Sequence, residues 1–111
     1  HELARAERHH FEMVIPLLDL DHFKRINDEH GHATGDRILQ LAAEIIERSI
    51  RRSDLVARWG GEEFVVLMPQ TDMNHGIEAA ERIRRNIAEE LRWAGVTTSG
   101  GIAVYPHHGA D

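Results

Sequence analysis

Apolar residues along this chain fall into blocks whose internal spacing differs, and the spacing predicts the elements. Phe11–Asp19 (FEMVIPLLD) is a nearly unbroken apolar run of strand length that ends in a carboxylate. Pro16 is out of place in a central strand, because it removes one ladder donor. From Asp36 onward, Ile38, Leu41, Ala42, Ile45, Ile46 and Ile50 recur at three- and four-residue steps, which gathers them on one helix face. Thr34 is placed to cap that helix, and Asp36 in its first turn suits the positive end of the dipole. A second amphipathic helix is expected over Gly76–Leu91, with Ile77, Ala80, Ile83, Ile87 and Leu91 on one side. Leu55–Arg58 and Phe64–Met68 are short strand-like runs around Trp59-Gly60-Gly61-Glu62, the pattern of a β-hairpin with glycines in a tight turn. Val96–Tyr105 is a β-rich run interrupted by Gly100 and Gly101. Leu20–Gly35 is polar and punctuated by glycine, so a short helical turn plus a functional loop is expected there. Glu2–His10 reads as the tail of a helix.

The order helix, strand, helix, hairpin, helix, strand implies an α/β (α+β) domain in which helices pack on a mostly antiparallel sheet. At 111 residues the chain is expected to form a single domain, 1–111. Its 41% hydrophobic content is enough for one core, and no apolar run approaches the ~20 residues of a membrane span. The absence of cysteine excludes a disulfide scaffold and a thiolate zinc site. A formal charge of −6 argues against a protein that grips a nucleic-acid backbone.

Charge also marks where chemistry is concentrated. Asp19 and Asp21 bracket Leu20 at the end of the apolar strand, and strand residues two apart point to one face. Glu62 and Glu63 follow two glycines whose bare backbone lets a large ligand approach. A hairpin lying beside the first strand would bring Asp19 and Glu62 together. Convergent carboxylate oxygens with open positions suit Mg²⁺, which is usually held by one or two carboxylates plus substrate phosphates. An acidic protein can then bind an anionic nucleotide, because the metal inverts the local charge.

Three ordered segments carry a resemblance: DLDHFKRINDEHGHATGD (19–36), RRSDLVARWGGEEF (51–64) and VTTSGGIA (96–103). Together they resemble the GGDEF domain of bacterial diguanylate cyclases, here in the GGEEF variant, Gly60-Gly61-Glu62-Glu63-Phe64. The resemblance implies a fold similar to nucleotidyl cyclase and polymerase palm domains. It implies condensation of two GTP to cyclic di-GMP and two pyrophosphates, between two facing domains of a homodimer. Against the family pattern the opening and closing segments are absent, so the expected domain is incomplete at both ends. The family setting is cytoplasmic, with tethering to a membrane sensor outside this chain compatible with it and no direct membrane contact or nucleic-acid partner expected.

The resemblance also assigns roles. Asp19, the Leu20 carbonyl and Glu62 are expected to hold Mg²⁺ or Mn²⁺, two ions per site, with Glu63 a weaker ligand. Glu62 is the candidate acceptor of the ribose 3′-hydroxyl proton, and Lys24 faces the phosphates. Asn27 and Asp36 match the guanine-reading pair: an amide donates to O6, and a carboxylate accepts from N1–H and N2–H. His32 matches a position near the nucleotide, Gly60 and Gly61 the approach to it, and Asp21 a structural role capping the following turn. Arg51-Arg52-Ser53-Asp54, an RxxD five residues before the Gly-Gly pair, resembles the site where product arrests the enzyme. There Arg51 would fork onto guanine O6 and N7, and Asp54 would accept from the opposite edge.

Rival readings are a catalytically silent module that senses cyclic di-GMP or GTP, and a different palm-fold nucleotidyltransferase. The net charge disfavours a templated polymerase, and the intact Glu62 counts against a silent module. The pairs His9-His10, His30/His32 and His107-His108 lack the helical i, i+4 spacing of a zinc enzyme.

Overall fold

The computed structural model describes residues 12–105; the expected helix over Glu2–His10 and the pairs His9-His10 and His107-His108 lie outside them. Strand β1 (Met13–Leu20) is followed by helices α1 (Phe23–His30) and α2 (His32–Ser49). A hairpin of β2 (Leu55–Arg58) and β3 (Glu63–Pro69) leads to helix α3 (Met73–Glu90). A single 3-10 turn (Arg92–Ala94) then delivers the chain to β4 (Thr98–Tyr105). The strands form one sheet in the order β2-β3-β1-β4, every neighbouring pair antiparallel. This is the mixed α+β architecture that the residue pattern implies.

Alternation along the strands builds the core. Val14, Leu18 and Leu20 of β1 and Phe64, Val66 and Met68 of β3 are buried, and they join Ile38, Ala42, Ile45 and Ile46 of α2 with Ala79, Ile83 and Ile87 of α3 in one cluster. Side chains two apart share a face, so the residues between them line the other side of the sheet. That side carries Leu17, Leu55 and Leu67, all exposed, with Leu55 at 64%.

Pro16 does sit in a central strand. Pairing to β4 runs unbroken through it, whereas the register to β3 passes from Val14↔Met68 to Leu17↔Val65, skipping Ile15 and Pro16. A residue without an N–H opens a gap in a ladder, and the sheet accommodates it on one side only. Gly100 does not interrupt β4 but allows it: a Cβ there would run into the Leu17 backbone carbonyl of β1.

Three sequence expectations shift. The helix expected from Gly76 starts at Met73, capped by the Asp72 carboxylate, which accepts from His75 N–H at 2.9 Å. Ile77, expected on its buried side, is 44% exposed; Gly76 and Ala79 turn inward, Gly76 packed so close to Val14 that a side chain would collide. The stretch Leu20–Gly35, expected to be a short helical turn plus a functional loop, is helical from Phe23 onward, in two helices separated by Gly31 alone. Thr34 therefore lies inside α2 instead of capping it, and Asp36 falls in its second turn.

Candidate active site

The acidic end of β1 is clasped on both sides. Asp19 stands opposite Glu63 of β3 and opposite Ser99 of β4. One residue on, the Leu20 N–H donates to the Glu62 carbonyl at 3.2 Å and the Asp21 N–H to the Thr97 carbonyl at 2.9 Å. Leu20 points into the core, so Asp19 faces the opposite side of the sheet. There it lines, with Glu63, Leu17, Trp59 and Gly100, a hollow of about 320 Å³. Asp19 Oδ1 is buried with no hydrogen-bond partner. Such an atom costs about 1–3 kcal/mol to leave unpaired, so it marks a place that a cation or donor would complete.

The sequence led to the expectation that Asp19 meets Glu62. The register sets Glu63 directly across from Asp19, and Glu62, one residue before β3, lies beside the same strand end through the bond from the Leu20 N–H to its carbonyl. Among the described residues no group of three or more His, Asp or Glu gathers around a metal-sized space. Mg²⁺ does not need one, since one or two carboxylates and a carbonyl beside substrate phosphates suffice. The donor set at Asp19, Leu20, Glu62 and Glu63 fits that chemistry.

Asp21 serves different partners from Asp19. Its carboxylate accepts from Ser99 Oγ at 2.6 Å and Thr97 Oγ1 at 2.8 Å. The Ser99 hydroxyl, with help from Thr97, holds this carboxyl below the ordinary carboxylate range, against a smaller opposing effect of burial. Asp21 is thus structural, as expected, but it ties β1 to β4 and does not cap α1, whose N-cap His22 makes no side-chain cap bond. The signal for this latch was present as Thr97 and Ser99, two apart and just before the glycine pair.

At the hairpin tip, Trp59 N–H donates to the Glu63 carbonyl at 2.7 Å and Arg58 Nε to the Gly60 carbonyl at 3.2 Å. Neither Gly60 nor Gly61 has a positive φ, so the glycines do not serve a tight primed turn. They serve space. A Cβ at Gly60 would lie 2.6 Å from Glu63 Oε1, and Gly61 borders nothing within 4 Å. Trp59 beside them is 76% exposed.

The paired helices carry the next group. Phe23 and Ile26 bury one side of α1, while Lys24 is exposed and Asn27 half-buried. Gly31 adopts φ 88 and ψ 159, and its N–H closes α1 on the Asn27 carbonyl at 2.8 Å. Across this break Asn27 Nδ2 donates to His32 Nδ1 at 3.0 Å. Asn27 Oδ1 is buried without a partner over Gly35, where any Cβ would overlap it. Glycine inside a helix costs about 0.5–1 kcal/mol relative to alanine, and here the amide occupies the space that glycine leaves. Asp36, the following residue, is exposed and borders a hollow of about 400 Å³ with Leu39, Arg58 and Phe64.

The Arg51-Asp54 corner is closed on itself. Asp54 has a side-chain exposure of 0%. It accepts from the Arg51 backbone N–H at 2.8 Å, Nη2 at 2.7 Å and Nε at 3.1 Å. Arg51 Nη2 also reaches Thr71 Oγ1 at 2.6 Å and the Pro69 carbonyl at 3.0 Å. The hydrogen bonds to Asp54 hold the Arg51 guanidinium above its ordinary range. Direct contact between Asp54 and a ligand, expected from the motif, is not what this geometry offers: Asp54 orients Arg51, whose side chain remains 49% exposed between two hollows.

Comparison with known proteins gives a consistent answer. Residues 1–111 match the family described as "Diguanylate cyclase, GGDEF domain". The chain is 41% identical over 109 residues to the diguanylate cyclase DgcP of Pseudomonas aeruginosa, covering 94% of this chain and 16% of that protein. It is also 39% identical over 101 residues to the cyclic di-GMP phosphodiesterase NbdA of the same organism, covering 87% of this chain and 13% of NbdA. Among solved structures, the active GGEEF domain of a diguanylate cyclase from Vibrio cholerae superposes with a TM-score of 0.87 at 31% identity, over 96% of this chain and 70% of that one. The chain thus spans a small part of the curated relatives.

Proposed function

Because this chain belongs to the GGDEF domain family, we propose that it is the catalytic domain of a diguanylate cyclase, condensing two GTP into cyclic di-GMP and two pyrophosphates. The observation that carries this reading is the sheet register, which lays the GGEEF tip against the acidic end of β1 and leaves Asp19 Oδ1 buried and unpaired. Asp19, the Leu20 carbonyl, Glu62 and Glu63 are the residues that would hold two Mg²⁺ or Mn²⁺. Divalent ions held there would offset the charge of the triphosphate and supply Lewis-acid activation of its α-phosphorus.

The residues divide the remaining work. Asn27 donates to guanine O6 and Asp36 accepts from N1–H and N2–H, so adenine would leave both unpaired. Gly60 and Gly61 admit the nucleotide close to the backbone, and the Lys24 ammonium stabilises charge on the phosphates. Each ribose 3′-hydroxyl attacks the α-phosphorus of the other GTP, its proton passing to Glu62. A new P–O bond forms as the bond to pyrophosphate breaks, once in each direction. The product is two-fold symmetric, so two domains, each holding one GTP, face one another. Product returning to Arg51 arrests the enzyme, and the half-exposed guanidinium clamped by Asp54 supports that regulation. The setting is cytoplasmic; no described helix is long and apolar enough to cross a membrane.

A single assay tests the reading: purified protein with GTP and Mg²⁺, products separated by chromatography. Cyclic di-GMP and pyrophosphate in a 1:2 ratio are expected, at a specific rate that rises with protein concentration. Folded, dimeric protein that yields no product would overturn it. Run to completion, Arg51→Ala should pass the level at which the parent stalls while starting at nearly the same rate. The similarity to NbdA, named as a phosphodiesterase, favours one alternative, a silent domain that binds cyclic di-GMP or GTP through Arg51. Ligand binding without turnover, lost in Arg51→Ala, is its signature.

A further inference from the structure

We infer that Gly35 and His32 are positioning residues for base selection, acting through Asn27 without touching the base; the inference rests on the reading of Asn27 as a guanine-reading group. Three observations meet at this amide. Its Oδ1 is buried over Gly35 with no hydrogen-bond partner. Its Nδ2 lies 3.0 Å from His32 Nδ1. A side chain at position 35 would overlap Oδ1 and come within 2.9 Å of Asn27 Cγ.

An amide nitrogen can only donate, so His32 Nδ1 accepts, and the neutral imidazole carries its proton on Nε2. That bond uses one of the two Nδ2 hydrogens and fixes which way the amide is turned. The oxygen edge is sealed against α2, which leaves the second Nδ2 hydrogen as the group able to meet an acceptor such as guanine O6. Adenine presents an amino group at that position, and two donors facing each other repel. Base choice would therefore depend on the seat at Gly35 and on the acceptor at His32. Gly35 has a further property that separates this role from simple packing. Alanine is the better helix former, and the atoms it would displace belong to the end of a short side chain, with Phe23 Cζ next at 3.3 Å. Gly35→Ala should leave the fold intact and expel the Asn27 amide.

The test measures binding of α,β-methylene GTP and α,β-methylene ATP, neither of which can react at the α-phosphorus, in the presence of Mg²⁺. Parent, Asn27→Ala, Gly35→Ala and the double variant are compared by calorimetry, with melting temperature as the control. Asn27→Ala should reduce the preference for the guanine analogue about 10- to 100-fold. Gly35→Ala should do nearly as much at an unchanged or higher melting temperature, and the double variant no more than the worse single one. His32→Ala acts from the other side of the amide and should lower the preference, with His32→Gln, which supplies a carbonyl acceptor, restoring part of it. Should Gly35→Ala unfold, the His32 pair decides. Parent-like preference in Gly35→Ala and His32→Ala, with the loss confined to Asn27→Ala, overturns the inference alone. Parent-like preference in Asn27→Ala itself overturns the guanine reading and the inference with it.

Discussion

Two corners of this small domain treat buried carboxylates in opposite ways. At the Arg51 corner, Asp54 is sealed from solvent and takes hydrogen bonds from the backbone N–H, Nε and Nη2 of one residue. At the end of β1, Asp19 buries a carboxylate oxygen that nothing pairs; among the described residues only Asn27 Oδ1 of α1 and Thr98 Oγ1 of β4 do the same. A protein fold driven by stability alone satisfies its buried polar atoms, so the unpaired Asp19 oxygen beside a hollow marks a place that a ligand would complete, and the satisfied cluster at Asp54 marks construction. On the proposed function, Asp19 would meet a ligand and Asp54 would hold a residue that does.

The largest test of this contrast is kinetic. Glu62→Gln at the hairpin tip should lower turnover by about 100-fold or more, because a positioned proton acceptor contributes at least that much. Its melting curve should match the parent's, since a loop carboxylate contributes little packing. Normal turnover in that variant would remove Glu62 from the site.

Next comes stability. Asp54→Ala should cost about 2–3 kcal/mol by denaturant unfolding, somewhat discounted because Arg51 is half exposed. Asp19→Asn should cost less than about 0.5 kcal/mol, since no hydrogen bond to Oδ1 is lost. Equal costs at the two positions would erase the distinction.

The smallest effect is one of slope with pH. The Asp21 carboxyl is lowered below the ordinary value by Ser99 and Thr97, so its folded form binds a proton less readily than its unfolded form. Its contribution is fully present above the unfolded value of about 3.9, and it is lost as pH falls through the lowered one. Asp21→Asn should lower stability at neutral pH, change it little once the pH is below the lowered value, and so flatten the acid side of the stability profile. An unaltered acid limb would mean that the Ser99 and Thr97 bonds are not formed in solution.

Much of the fold could be read from periodicity, because long amphipathic helices and a hairpin leave strong local patterns. What escaped was short or long-range. Helix α1 offers only Phe23 and Ile26 as an apolar signal, too little for a stripe. Gly35 reads as a breaker until Asn27 is seen lying over it. The motif named the acids at the site but not their partners, since strand register is a property of the assembled sheet. The sealing of Asp54 was equally invisible, because the guanidinium that clamps it is anchored by Pro69 and Thr71, far along the chain.

Gly31 carries a consequence beyond joining two helices. Its torsions lie in a region that only glycine visits readily, yet nothing stands within 4 Å of where a side chain would be. The demand is therefore torsional and not steric. One peptide unit acts as the gauge between Asn27 on one helix and Asp36 on the other. Any residue that refuses those angles would reset the spacing of the two, and on the proposed reading would do so for every nucleotide alike.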